Sequence, residues 1–477
     1  MERGASAAPA EGWARALVHA LDPAWQDAGP PDALVVRGSD PVLPTRFRAG
    51  EAAAASIGAH ALAAAALWRQ RGGANPTIEV DVRAAGASLL SFLFLRAPGL
   101  GLARGPATVD LYRARDGGWV HLHGGFPHLH AGTLDLLGCG EDAASIARAV
   151  EGFDAQALED ALAERGLCGA RLRSAAEWRA HPQGEALAGA PLVELIRIGD
   201  APPAPLPGPR ASDSGARPLS GIRVLDLTRV LAGPTCARTL AEHGADVLHV
   251  RSPRLPFIEP FVIDTNPGKR SCHLDLDTAE DAETLRALVG EAHVFSQGYR
   301  AGALARRGFG AEALAARRPG IIVVSISCYG HAGPWAARPG WEQLAQTVSG
   351  LAHEHGGTER PSIVPGAVTD YTTGRLAALG AMAALSRRAR EGGSWHVRVS
   401  LARTAMWIQS LPRAPEGAAA GLEPAALAPW RIAMDTAWGP LERLGPIVRM
   451  SGTPPRWDLP PAPLGTHPAR FGPPPSS

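Results

Sequence analysis

The sequence predicts an α/β protein: a Rossmann-like, largely parallel sheet with helices on both faces, joined to a smaller α+β domain. Three observations carry that expectation. From residue 219 onward, short runs of branched apolar residues alternate with helical stretches, the rhythm of strand–helix–strand units. Upstream, two alternating strands meet at Asp-Gly-Gly, which reads as a hairpin. Between the two lies a stretch rich in Pro, Ser and Gly, which reads as a linker.

The elements follow in order. Residues 1–104 carry a faint copy of a pattern that returns later. Ile57-Gly58-Ala59-His60-Ala61-Leu62-Ala63-Ala64-Ala65 resembles Leu379-Gly380-Ala381-Met382-Ala383-Ala384-Leu385. Each run leads to an Arg-rich turn, a Gly-Gly pair and a strand, at 78–82 in the first copy and 397–401 in the second. With Gly58 laid on Gly380, Arg48 takes the position of Asp370, so the first copy lacks that carboxylate. Ala-rich helices resemble one another by composition, but the shared context favours a true repeat.

Residues 105–200 form the expected small α+β domain, with the hairpin at 108–122 and helices at 143–149 and 155–165. Residues 201–218 are the linker. Residues 219–412 open with a buried strand at 221–228, then a Gly233-Pro234 turn with Pro at a favourable first helical position, and a helix to about Glu242. Further strands are expected at 245–250, 292–296 and 321–326. Residues 413–477, rich in Pro and Ala, are expected to wrap the surface with little regular structure.

Composition narrows the function classes. Hydrophobic residues make up 45% of the 477, enough for a large core. With 47 basic and 46 acidic residues and no long basic run, nothing suggests a nucleic-acid partner. Cys139, Cys168, Cys236, Cys272 and Cys328 are scattered without a CxxC pair, which reads as reduced thiols and a cytoplasmic setting. Residues Met1-Glu2-Arg3-Gly4-Ala5-Ser6 lack the layout of a signal peptide. No apolar run of about 18 residues is free of charges or breaks, so no membrane span is expected. No metal is expected either. His353, Glu354 and His355 read as a polar loop without further ligands in register, and His121, His123, His128 and His130 as the exposed face of the hairpin and its loop.

Asp370 stands just ahead of the small-residue helix at 375–385. A carboxylate there is either a helix N-cap, worth about 1 kcal/mol, or a nucleophile that uses the same amides and the helix dipole to hold its charge. The residues alone leave both open.

Several motifs, each weak alone, are strong in their order and spacing. They are Leu219-Ser220-Gly221-Ile222-Arg223-Val224-Leu225-Asp226-Leu227-Thr228 with Ala232-Gly233-Pro234; Gly244-Ala245-Asp246-Val247; the basic loop Gly268-Lys269-Arg270-Ser271; Tyr299-Arg300-Ala301-Gly302; and Ser325-Ile326-Ser327-Cys328-Tyr329-Gly330 with Gly333-Pro334-Trp335. Ser451-Gly452-Thr453-Pro454-Pro455 adds a C-terminal match. Together they resemble the family III CoA-transferases, the group that includes formyl-CoA and carnitine CoA-transferases and the α-methylacyl-CoA racemases. The order of parts departs from that family, because the small domain precedes the Rossmann-like half. The chain therefore resembles a permuted or fused relative.

The resemblance implies a function: moving CoA from an acyl-CoA thioester to a carboxylic acid through an aspartyl intermediate. It places the nucleophile on Asp370 and CoA contacts on Arg251, Lys269, Arg270, Tyr299 and Arg306. Gly374 is a candidate for an oxyanion-binding amide. No permanently bound cofactor is implied, coenzyme A and acyl-CoA being substrates, and the expected assembly is a homodimer of a kind that can interlock. Leu231 replaces the Gln common in the formyl-CoA enzymes, which argues against formyl or oxalyl substrates.

Three other readings compete. A racemase needs a proton shuttle where Trp341 stands beside Glu342. A non-catalytic, partner-dependent subunit would explain the degenerate first copy. A nicotinamide dehydrogenase would need a GxGxxG after Leu227, and none is present.

Overall fold

Residues 9–25, 33–101, 105–209 and 215–472 are described in the computed structural model. The opening residues Met1–Ser6 and linker positions 210–214 fall outside them.

The N-terminal segment is a helix on a small sheet. Strands β1 (Leu34–Arg37) and β2 (Ile78–Asp81) pair in parallel, and the helix Ala49–Gln70 links them. Small residues let that helix pack closely: a side chain on Gly58 would come within 3.0 Å of Leu34. Its N-terminus is held by a loop residue. The Asp40 carboxylate accepts the amides of Glu51 at 2.8 Å and Gly50 at 3.3 Å, a cap supplied from outside the helix. By length and composition this helix could cross a membrane, but its apolar window lies wholly inside the protein.

The small domain pairs β3 (Val109–Arg113) with β4 (Trp119–His123) as the expected hairpin, and adds β5 (Gly169–Arg171) antiparallel to β4. Helices Ala143–Val150 and Ala155–Glu164 pack beside it. The histidine reading needs correction. His121 and His123 are buried rather than exposed, because the hairpin's inner face packs on the helix Glu342–Ser349. His121 Nδ1 meets Thr347 Oγ1 at 2.9 Å, and His123 stacks on Trp341 with ring centroids 4.9 Å apart.

Strand β6 (Glu194–Gly199) closes the small domain in sequence but joins the large sheet in space. Behind it come β7 (Arg223–Leu227), β8 (Asp246–Arg251), β9 (Lys269–His273), β10 (Val294–Gln297), β11 (Ile322–Ser327) and β12 (Ser394–Ser400). The sheet order is β6-β12-β11-β10-β7-β8-β9. Every pairing is parallel except β12 with β6, which forms an antiparallel edge. β7, β10 and β11 are buried apolar runs because helices cover both faces.

The expected basic loop at 268–271 is strand β9. Lys269 explains it: its ammonium is buried and bonds Asp226 Oδ2 of β7 and the Pro234 carbonyl, each at 2.8 Å. A buried ion pair with both ends satisfied draws this segment into the sheet edge.

The helix Val368–Glu391 runs through the centre, packed on the helices Ala49–Gln70 and Ala232–Glu242. Gly380 repeats the role of Gly58, since a side chain there would come within 2.5 Å of Val397 in β12. Each long helix thus lays a glycine on a strand of the sheet beside it. The tail is more regular than expected: β13 (Arg431–Thr436) and β14 (Gly439–Leu444) form a hairpin, and β15 (Arg449–Met450) joins β2 antiparallel. Buried apolar residues such as Leu441, Leu444 and Met450 supply the reason.

Candidate active site

A cavity of about 250 Å³ opens at the carboxyl ends of β7, β10 and β11. It lies where the chain order of the sheet reverses, between β7 and β10, the place at which open α/β sheets hold ligands. The large-sheet half supplies Thr228–Gly233, Gln297–Ala301, Ile326–Cys328, Glu342 and Asp370; the small domain supplies Phe126, His128, Leu129 and Cys168. One chain therefore builds both walls.

Asp370 is 7% exposed and lines this cavity. The helix begins at Val368, earlier than the apolar pattern suggests, so Asp370 sits inside its first turn. The N-cap is Ala367, which has no capping side chain. The capping work falls to Glu342, whose Oε1 accepts the Thr369 amide at 3.2 Å and the Thr369 hydroxyl at 3.3 Å. Asp370 is thus relieved of the N-cap role. Its carboxyl is pushed well above the usual range, first by burial and then by the charge of Glu342. Glu342 is itself pushed up to about 7 by burial, opposed by its bonds to Gln346 and Thr369.

The turn after β7 forms the opposite wall. Asp226 accepts the Thr228 amide at 3.1 Å and its hydroxyl at 2.5 Å, fixing the end of the strand. Val230 then adopts φ 68°, among the described residues the one left-handed residue that is not glycine. For a β-branched side chain this is a strained conformation, costing on the order of 1–3 kcal/mol. The strained turn leads into the helix Ala232–Glu242, whose N-cap Leu231 offers no capping side chain. The first-turn amides of Ala232 and Gly233 have no partner within the helix, and both residues line the cavity.

Two guanidinium groups extend the site toward a smaller adjoining pocket that both line, beside Phe257. Arg251 is 3% exposed, and its Nε and Nη2 have no partner. Arg229 bonds the Pro256 carbonyl at 2.6 Å, lies over the Phe126 ring at 5.0 Å, and leaves its Nε unpaired. Burial lowers both, Arg251 to about 10. Tyr299 lines the main cavity.

The remaining expected contacts lie elsewhere. Lys269 is consumed by Asp226 and the Pro234 carbonyl. Arg270 bonds Asp246 at 2.5 Å on the sheet's outer edge. Arg306 is exposed in the turn Ala305–Arg307 and does not line the cavity. Gly374 lies well inside the helix Val368–Glu391, where its amide belongs to the helical ladder. Its missing side chain serves packing instead, since a Cβ there would stand 2.4 Å from the Ala232 carbonyl. Sequence reasoning missed Arg229, Glu342 as a partner of Asp370, and the small domain's wall. Glu342 was legible only as the residue beside Trp341, and the capping bond that brings it to Asp370 spans two helices.

The CoA-transferase family III model matches residues 219–426. The chain is 36% identical over 314 residues to a protein named acyl-CoA transferase from Gibberella moniliformis, covering 61% of this chain and 54% of that one. It is 35% identical over 320 residues to "Acetyl-coenzyme A transferase nodX" of Hypoxylon pulicicidum, covering 63% and 54%. It is also 34% identical over 197 residues to the succinyl-CoA:glutarate CoA-transferase of Mus musculus, covering 39% and 45%. The chain spans about half the length of the curated relatives it matches. Among solved structures, a CAIB/BAIF family protein from Brucella suis is 30% identical with a TM-score of 0.39, covering 47% of this chain and 65% of that one. The Mycobacterium tuberculosis protein Rv3272 is 29% identical with a TM-score of 0.40, covering 42% and 57%.

Proposed function

We propose that this chain, whose residues 219–426 match the CoA-transferase family III model, moves CoA from an acyl-CoA thioester to a carboxylic acid through covalent intermediates on Asp370. The observation that carries the reading is a buried carboxyl, free of capping duty, in the wall of a cavity at the carboxyl ends of the sheet.

The ionised Asp370 attacks the thioester carbonyl. The C–S bond breaks, CoA leaves as thiolate, and a mixed anhydride remains on Asp370. The thiolate attacks the Asp370 carbonyl, forming an aspartyl-CoA thioester and releasing the donor acid. The acceptor carboxylate attacks that thioester, and the returning thiolate takes the acceptor's acyl group as the new acyl-CoA, restoring Asp370. Covalent catalysis divides one difficult exchange into easier steps. Each addition makes an oxyanion, and the amides of Ala232 and Gly233 are the donors this reading assigns. The bonds from Thr228 to Asp226 fix the start of that turn against the Val230 strain. Arg229 and Arg251 would take CoA phosphate oxygens through charge-assisted bonds, with Phe257, 54% exposed, beside them for the adenine.

Against the racemase reading, Trp341 is stacked on His123 and packed against Phe126, and carries no exchangeable acid or base. In the N-terminal segment the position matched to Asp370 is Arg48, which bonds Glu51 at 2.6 Å and the Arg413 carbonyl at 3.3 Å.

The test is mass spectrometry of the protein with a panel of acyl-CoAs and carboxylic acids, with hydroxylamine added to trap acyl adducts. CoA exchange should occur, and the label should fall on the Asp370 peptide alone. Asp370→Ala should fold and lose exchange. Turnover by the folded variant, or a stoichiometric adduct on a peptide from residues 33–101, would overturn the assignment.

A further inference from the structure

A second, small cavity of about 30 Å³ lies behind the central helix, away from Asp370. The first copy supplies His60, the helix Ala232–Glu242 supplies Arg238 and Glu242, the helix Val368–Glu391 supplies Arg375, and β14 supplies Arg443. Three guanidinium groups meet here, each at most 6% exposed.

Their compensation is incomplete. Arg238 and Arg443 share a single carboxylate, Asp264, at 3.1 and 3.2 Å. Asp264 also accepts the hydroxyls of Ser91 and Tyr371. Arg375 gives Nη2 to the Ser88 hydroxyl at 2.6 Å, while its Nη1 is buried without a partner. Burial keeps His60 and His243 neutral. Glu242 is the one other acid lining the cavity, and burial resists its ionisation. Even with Glu242 ionised, three positive charges face two negative ones. An uncompensated buried charge is costly.

We propose that this cavity is a binding site for a small monovalent anion of halide size, held by the free Nη1 of Arg375 between Arg238 and Arg443. Size and sign together select it. The volume admits one or two water-sized bodies, which excludes phosphate or an organic acid. A metal is the rival occupant, because ligand atoms of His60, Glu242 and His243 lie within 4.8 Å of one another. A divalent cation, however, would add two charges to a cluster already in positive excess. A halide removes the excess, and it ties the first copy and the tail hairpin to the helix that carries Asp370.

The test uses the full chain and needs no CoA. The melting temperature is measured in sodium chloride, sodium bromide and sodium gluconate at matched ionic strength, and with added zinc. Chloride and bromide should raise it saturably, as a ligand of the folded state does, and gluconate should not. Arg375→Gln should abolish the saturable rise. Should that variant fail to fold, chloride NMR line broadening and a bromide anomalous peak beside Arg375 in wild-type crystals give the same reading. Equal melting in chloride and gluconate, with no halide peak, would overturn the proposal in favour of water. Saturable stabilisation by zinc alone would overturn it in favour of the histidine–glutamate metal site.

Discussion

At the scale of single residues, the site holds two carboxyls that burial pushes up, and the charge of Glu342 adds to the cost of ionising Asp370. In the proposed mechanism Asp370 attacks as the carboxylate, so the rate should rise with pH. Glu342→Gln keeps an oxygen for the bonds from Gln346 and Thr369 but removes the neighbouring charge. The rising limb of the kcat/KM profile should therefore move to lower pH; an unmoved limb would detach Glu342 from the chemistry. Stability has the matching sign. The Glu342 carboxyl titrates near 4.5 in an unfolded chain and about 7 here. Its contribution is complete below pH 4.5 and is lost as pH rises through about 7, and the variant should lack that loss in denaturant titrations at stepped pH. The arginines sort by burial. Replacing Arg229 and Arg251 together by Ala should weaken CoA binding about tenfold or more, ~1.4 kcal/mol. Arg306→Ala, at an exposed position, should change it less than about threefold. Calorimetric titration with CoA distinguishes the two.

At the scale of elements, glycines set how closely the central helix approaches its neighbours. A methyl group on Gly374 would meet the Ala232 carbonyl at 2.4 Å and Thr235 Cβ at 2.7 Å. Backbone cannot yield cheaply there, so Gly374→Ala should cost about 1–3 kcal/mol and lower kcat, because the displaced turn carries the Ala232 amide. Gly380→Ala meets the side chains of Val397 and Val193 at 2.5 and 2.9 Å, away from the cavity lining. It should reduce stability and spare kcat. Denaturant midpoints measured beside kcat for both variants would separate the roles; equal losses of kcat would refute the proposed geometry.

At the scale of the whole molecule, the linker is clamped. Arg71, at the end of the helix Ala49–Gln70, donates to the carbonyls of Pro207, Pro209, Pro218 and Ser220 at 2.6–2.9 Å. One guanidinium thus fastens that N-terminal helix to the entry of the large-sheet half. Arg71→Ala should lower stability by about 1–3 kcal/mol and open residues 201–209 to protease. A linker as resistant as wild type would show that packing alone holds it. The small cavity lined by His60, Arg238 and Arg375 lies between the same parts.

The sequence by itself determined the alternating sheet and the hairpin. It also determined the position of the one acidic residue that opens the central helix. These are local: branched apolar runs, turn glycines and small-residue helices declare themselves within a few residues. The pattern also made the two long helices look alike, and their glycines do lie on strands in the same way. Tertiary structure decided the rest. Lys269 and Asp226 are 43 positions apart, and nothing near Lys269 shows that its charge is spent inside the sheet. Glu342 caps the helix of Asp370 across 27 positions, which turned a residue that looked like a cap into a free carboxyl. The buried histidines and the strained Val230 were equally invisible. Burial, charge balance and strain depend on which segments the fold brings together, and local sequence pattern carries no record of that distance.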